Sequence, residues 1–491
     1  MKSNLLLFVL TLLFISMPAA IAIQAQTGTL FTVNHAGDTR DAAVGDGLCA
    51  DAAGNCTLRA AIEEANASPS QDAINFALPS PSTIDLTLGE LVISSNIYLV
   101  GPGPRNLIVQ RSSNPGTNAF RIFKILSSGS IPQPTTIRGL AIKNGSTTSD
   151  GSAIFIDYQA TLQLTEVTVS HNQAAGSGAV FNAGTLFLTR SLIKSNTATG
   201  LFAGGIVNIN NQATSIISNT TLTENAGNQG GALYNSGSLL SINNTFSHNT
   251  AAAGASIFNH AKGTIKVLNT IVGMDDPNGA SSLVGAFSSL GHNLITDARN
   301  SSGFSHGVNN DQVSENNAIN PLLGELSDNG GQTDTRALLD GSPALDRGNS
   351  CVNNGDCPAP VPQFFRLSYD QRTGFSRSGG TAVDVGAFER QTVSFNASAG
   401  IGSRGAGNRW NGTLLVLTDA LTNEKQYRVT NFSGVYFFRN LDLKKVYILE
   451  RKSKRAGLSS LQILDFDRLF FPVPFPGKSI EYEGIDIALV Q

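Results

Sequence analysis

Hydrophobic and polar residues alternate with a period of two in short bursts along most of the chain. Thr161-Leu-Gln-Leu164, Thr185-Leu-Phe-Leu188, Ser238-Leu-Leu-Ser-Ile242 and Thr264-Ile-Lys-Val267 are representative. Bursts of this kind, rich in β-branched residues, predict short strands. Earlier ones are Thr83-Ile-Asp-Leu86, Leu91-Val-Ile93, Ile97-Tyr-Leu-Val100, Leu107-Ile-Val109 and Ile137-Arg-Gly-Leu-Ala-Ile142, with a turn at Gly101-Pro-Gly-Pro104. A helical period is missing from the middle of the chain.

The bursts sit inside a repeat. Asn182, Asn208, Asn235 and Asn259 each close a glycine-led motif, at steps of 26, 27 and 24 residues. A second series, His171-Asn172, Ser195-Asn196, Glu224-Asn225 and His248-Asn249, steps by 24, 29 and 24. A repeat of this length carrying several short strands is one rung of a parallel β-solenoid, which buries its apolar face only by stacking on neighbours. Glycine suits tight corners with positive φ. Asparagine tolerates the left-handed region and can ladder its amide from rung to rung. About eight rungs at ~4.8 Å make a rod ~40 Å long.

Residues 57–67 form the one clear helical pattern. Leu58, Ala61, Ile62 and Ala65 share a face, and Thr57 is placed to cap it. The expectation is a plug over the first rung, because an open solenoid end exposes unpaired strand edges. Upstream, residues 1–22 read as a signal peptide, with Lys2 before an apolar run and Ala20-Ile-Ala22 as a cleavage site. That predicts a secreted or outer-surface protein with no transmembrane segment in its mature part.

Composition narrows the function. Only 14% of residues are charged and the net charge is −3, with no basic stripe, which argues against nucleic-acid binding. Hydrophobic residues at 41% are enough for a large core. The four cysteines fall in two close pairs, Cys49/Cys56 and Cys351/Cys357. In an exported chain these read as local disulfides rather than a zinc knuckle.

Three stretches resemble known modules. Asp46-Gly-Leu-Cys49 with Cys56-Thr-Leu-Arg-Ala-Ala-Ile62 is similar to the Cys-Ser-Leu-Arg-Glu-Ala (CSLREA) module of exported bacterial β-helix proteins. Thr57 and Ala60 depart from its signature. Ser289-Leu-Gly-His-Asn-Leu-Ile295, Asp328-Asn-Gly-Gly-Gln-Thr333, Gly341-Ser-Pro-Ala-Leu-Asp346 and Asp384-Val-Gly-Ala-Phe-Glu389 resemble a choice-of-anchor Q-type domain. Ser433-Gly-Val-Tyr-Phe-Phe438 followed by Tyr447-Ile-Leu449 resembles carboxypeptidase-regulatory-like sandwiches. These resemblances imply an all-β, pectate-lyase-like chain: a right-handed parallel β-helix with an N-terminal capping helix and a C-terminal β-sandwich. The implied organisation is signal peptide 1–22, capping module 26–75, repeats 76–273, anchor-type end 274–390 and sandwich 391–491.

Folds of this kind host polysaccharide lyases and hydrolases, which need clustered carboxylates. Residues 134–273 hold only Asp150, Asp157, Glu166 and Glu224, beside Lys/Arg at 138, 143, 190, 194, 262 and 266. Asp275-Asp-Pro277 and Gly291-His-Asn293 resemble galacturonase motifs but fit a turn and the anchor-type motif better. His171 and His248 fit corner packing. Asp38, Asp41 and Asp46 are a weak calcium candidate. Arg451-Lys-Ser-Lys-Arg455 reads as a solvated loop, with an acidic glycan as the rival reading. The Asn-x-Ser/Thr triplets follow from composition. No catalytic, cofactor or metal residue is assigned. The expected protein is a monomeric, non-catalytic surface β-helix that contacts carbohydrate or matrix. The alternatives are a polysaccharide lyase or hydrolase and a structural spacer.

Overall fold

A computed structural model describes residues 28–391, apart from 69, 128–133, 276–278, 363–365 and 379, and beyond them the backbone of seven strands. The signal-peptide segment 1–22 lies outside the described residues. No described helix is long and apolar enough to cross a membrane.

The chain winds as a parallel β-helix with three faces. Ten parallel strands stack on the first face, from Leu30–Val33 to Ser288–Gly291. Ten more stack on the second, from Ser82–Leu86 to Gln312–Val313, and nine on the third, from Leu91–Ile93 to Ser301–Ser302. One rung runs Thr161–Thr165, Thr168–Ser170, Val180–Asn182, and each strand pairs in register with its counterparts one repeat away. Alternation sends Leu162, Leu164, Val169 and Val180 inward and Gln163, Thr168, Ser170 and Phe181 outward. The inward residues are essentially solvent-free. Phe123 and Phe246 are the largest aromatics sealed in this core.

The repeat anchors have two separate jobs. Left-handed φ falls on two columns of corner residues: Glu166, Arg190, Asn219, Asn243 and Asn269 between the first and second faces, and His171, Ser195, Glu224 and His248 after the second. The laddered asparagines are buried instead. Asn182, Asn208, Asn235 and Asn259 pass amide hydrogen bonds of 2.8, 2.8 and 2.7 Å from rung to rung. Asn172, Asn196, Asn225 and Asn249 do the same at 2.9, 3.0 and 3.1 Å. Each amide also donates to backbone carbonyls inside the turn, so the ladder amides themselves are satisfied. Gly230 takes a left-handed φ of 77°, and a Cβ there would meet the Leu233 carbonyl oxygen at 2.0 Å.

The helix Leu58–Ala67 packs on the strands Leu30–Val33, Asp72–Phe76 and Leu91–Ile93. Thr57 caps it by accepting from the Ala60 N–H, and the expected face is buried. Arg59 ties this cap to the rod through the Gly89 and Glu90 carbonyls. Cys49 is bonded to Cys56, and Cys351 to Cys357.

After Gln312–Val313 the chain turns back along the outside of the rod. An antiparallel hairpin, Leu323–Ser327 with Thr335–Leu338, is followed by a strap that ends near residue 391. Arg105, on an early rung, donates to the Gly331 carbonyl (2.7 Å) and to Asp334 (2.9 Å). Thr221 donates to Gln371 (2.6 Å), Asn219 to the Tyr369 carbonyl (2.7 Å), and the Gly386 N–H to the Asn269 carbonyl (2.8 Å). The disulfide loop sets Cys351, Val352 and Cys357 on Leu240, Ile242 and Leu268 of the first face. Replacing Cys351 and Cys357 with serine should lower stability by roughly 2 kcal/mol, since the loop closed is short. Reversible urea denaturation of the paired variant checks this.

In the last hundred residues the backbone forms two antiparallel sheets. One orders Lys425–Val429, Leu414–Asp419, Val446–Lys452 and Ser459–Asp465; the other orders Ser398–Ile401, Ile485–Val490 and Ile480–Tyr482. The strand expected at 435–438 lies outside the described residues.

Candidate functional site

The four rung acids each have a partner. Asp150 accepts from the Ser177 N–H (2.8 Å) and Asp157 from the Tyr158 N–H (2.8 Å). Glu166 sits on the left-handed corner between Arg138 (2.9 Å) and Arg190 (3.3 Å), and accepts a hydrogen bond from Thr373 of the strap. Burial would raise its pKa, but the Thr373 hydroxyl and the two guanidiniums outweigh that and hold the carboxyl below the usual range. Glu224 accepts from Ser195 and from the buried Arg336 of the hairpin, both at 3.0 Å. Two of the four therefore anchor the returning chain, Glu166 the strap and Glu224 the hairpin.

The other sequence candidates disperse. Asp38 holds Arg59 (2.7 Å) and the Thr87 and Leu88 N–H groups, while Asp41 and Asp46 close local turns. Among the described residues no three His, Cys, Asp or Glu side chains gather as a metal would require. Asp275 continues the second asparagine ladder: it accepts from the Asn249 N–H (2.9 Å) and the Ser256 hydroxyl. Burial pushes its carboxyl up to about 7. His292 occupies a left-handed corner with Nδ1 2.7 Å from the Arg347 carbonyl, and Asn293 is part of a third ladder ending at Asp311. His171 and His248 lie in the corner column. Burial lowers both pKa values, helped by Lys143 and Lys194 for His171 and by Arg336 for His248. Of the basic cluster, Arg451 and Lys452 fall in a strand whose side chains lie outside the described residues, as does 453–455 altogether.

Beneath the strap lies a buried ionic cluster; Asp384 and Glu389 bound the anchor-type motif of residues 384–389, while Asp370, Arg372 and Arg377 gave no signal in the sequence. Arg377, fully buried, donates to Asn219 (2.6 Å), to the Gly386 carbonyl (2.9 Å) and to Glu389 (3.2 Å). Arg372 pairs with Asp370 at 2.6 Å and is sandwiched by the Phe375 and Phe388 rings. Asp384 accepts from the Asp346 and Arg390 N–H groups. Two guanidiniums thus face three carboxyls, and the cluster is neutral when one carboxyl keeps its proton. Burial pushes Glu389 up to about 9 and Asp384 up to about 6. Burial raises Asp370 as well, but Asp370 takes two hydrogen bonds from Arg372 whereas Glu389 Oε1 takes none, so Glu389 is the group that stays protonated at neutral pH. Its cluster closes the strap and does not open to solvent.

The strap leaves part of the first face open. Its central outward column reads Tyr98, Thr136, Gln163, Phe187 before Ile216 and Leu240 pass toward the disulfide loop. Beside it runs an in-register column of Thr161, Thr185, Thr214, Ser238 and Thr264. Tyr98 and Phe187 are 42% and 38% exposed, Gln163 is half-buried, and Thr136 between Tyr98 and Gln163 is buried. No charge enters these outward positions before Lys266. The third face carries aromatics too, but Phe202 stacks on Tyr234 (4.1 Å) and closes its middle.

The fold is a three-faced parallel β-helix. The chain is similar to the crystal structure of pectate lyase Pel9A, with a TM-score of 0.35 and 14% identity, covering 75% of this chain and 98% of that one. No family model matches the chain. No curated protein matches it at a significant level. The three module resemblances therefore rest on the quoted residues alone.

Proposed function

We propose that this chain is a secreted or cell-surface β-helix that binds polysaccharide without cleaving it, using the open part of its first face. The observation that carries this reading is the in-register surface around Tyr98, Gln163 and Phe187, whose central column carries no charge before Lys266. Aromatic rings offer apolar faces to the C–H side of sugar rings. Flanking threonines and the glutamine supply donors and acceptors at the rung spacing of ~4.8 Å. A sugar chain lying along the rod from Gln163 to Phe187 meets both kinds of contact on adjacent rungs. The rung carboxylates, in contrast, are engaged in turns and in strap docking.

The test is affinity electrophoresis of residues 26–491 through gels containing neutral or acidic polysaccharides, with new reducing and unsaturated ends recorded in parallel. Retardation without new ends is the expected result. Substituting Tyr98 and Phe187 together by alanine should weaken binding at least about tenfold, equivalent to ~1.4 kcal/mol, while far-UV CD stays unchanged. Turnover would transfer the assignment to a polysaccharide lyase or hydrolase. Equal retention of the wild type and the double variant would remove the first face from the reading.

A further inference from the structure

The second face carries a feature that the first-face reading does not use and that the docked hairpin touches only through Asp334 on Lys194. In its outward column Lys143 pairs in register with Ser170, and Ser170 with Lys194. Their neighbours Ile142, Val169 and Ile193 point into the core, so all three polar side chains project from the same side. Two ammonium groups on flexible stems therefore flank one serine, their Cα atoms about 10 Å apart across two rung spacings. The Ser170 hydroxyl is fully buried and has no hydrogen-bond partner. A buried hydroxyl in that state leaves a donor unpaired, and an acceptor between the lysines would take it up.

The surrounding charges favour an anion. Lys194 lies 3.7 Å from Asp334, but Asp334 is shared with Arg105 at 2.9 Å. Glu224 is held by Arg336 and Ser195. His171, next to Ser170 along the chain, is exposed, so the strip meets solvent at its corner side. Partial burial and then both lysines hold the pKa of its imidazole down, against the opposing pull of Glu224.

We propose that Lys143, Ser170 and Lys194 form an oxyanion-binding site that takes a sulfate or carboxylate group. The serine O–H donates to one oxygen, and the two ammonium groups close on the others. The site is on a different face from the polysaccharide surface, so the two proposals can fail separately.

The test uses the full mature chain and inorganic sulfate as probe, at constant ionic strength. Histidine-selective NMR follows the imidazole pKa of His171, with His306 as an exposed reference. Sulfate should raise the His171 pKa saturably and leave His306 in place, because a bound anion offsets the two ammonium charges. K143Q/K194Q should abolish the response and S170A should weaken it severalfold. K262Q, a surface lysine elsewhere, and Y98A/F187A should both preserve it. Competition by dextran sulfate or polygalacturonate, but not neutral dextran, would show that the group can be borne by a polymer. Sulfate binding without such competition would define a site for the free ion. An equal response at His171 and His306, or a full response in K143Q/K194Q, would overturn the proposal.

Discussion

Replacing Arg377 with methionine should destabilise the docked strap by about 3–5 kcal/mol, the loss usual when one partner of a buried ionic group is removed. The guanidinium is fully buried and supplies donors to Asn219, Glu389 and the Gly386 carbonyl. Methionine fills much of the volume and supplies none of them. The expected readout is rapid proteolysis within 366–391 and a lower urea midpoint. The parallel-sheet CD signal of the rod should persist, because its core columns do not include strap residues. Glu389→Gln makes the control. Glu389 holds a proton in the folded chain at neutral pH, so the amide is close to isosteric with it and should change stability by less than about 1 kcal/mol at pH 4, where the unfolded carboxyl is neutral too. The pH profile separates the two roles. Unfolded, Glu389 titrates near 4.5; folded, it titrates at about 9. The folded chain thus keeps a proton that the unfolded chain releases. Its contribution is complete below about pH 4.5 and is lost as pH rises toward 9. Glu389→Gln should flatten that decline. An R377M variant with wild-type proteolysis and urea midpoint would show that the cluster does not hold the strap.

The sequence made the rod legible for a physical reason. A solenoid rung must repeat its inward residues and its buried corner amides, so the period appears in the letters themselves. Asn182 to Asn259 and Asn172 to Asn249 mark two buried ladders, and the helix after Thr57 carries its own cap and apolar face. The division of labour at the corners was not legible. Left-handed φ falls on Glu166, Arg190, His171 and Glu224, residue types that give no such signal, while the asparagines beside them lie buried and extend the ladders.

The strap was hidden for a different reason. Its contacts join residues more than a hundred positions apart, such as Asn219 with Arg377 and Arg105 with Asp334. They use ordinary arginines, acids and threonines whose spacing carries no period. For the same reason sequence could not divide the first face. Tyr98, Phe187 and Leu240 occupy one outward column, and only the position of the Cys351–Cys357 loop decides that Leu240 is covered while the other two are open. The rung acids were legible as sparse, but their work in holding the strap depends on partners supplied from far along the chain.

Asp275→Asn should stabilise the rod at neutral pH, by up to about 4 kcal/mol, and remove a pH dependence from its unfolding. Four preceding rungs place asparagine at this ladder position, and the fifth places a carboxyl with no cation beside it. Burial moves that carboxyl from 3.8 to about 7, roughly three units, at ~1.4 kcal/mol each. The folded pKa is the higher one. Stability is therefore greatest below about pH 4 and declines as pH rises to about 7. An amide at 275 still accepts from the Asn249 N–H through its oxygen. Its nitrogen faces the Phe246 carbonyl, the equivalent of the Leu222 carbonyl that takes the Asn249 amide one rung earlier. Ser256 can reverse its hydroxyl from donor to acceptor. The variant should thus gain most at pH 7 and little at pH 4, where the wild-type carboxyl is already neutral. Urea denaturation of both proteins across pH 4–8 measures this. Parallel profiles offset by a constant would mean that Asp275 is not the titrating group. A variant less stable at pH 7 would mean that the ladder needs a charged terminus, and that the proton-linked account of this rung is wrong.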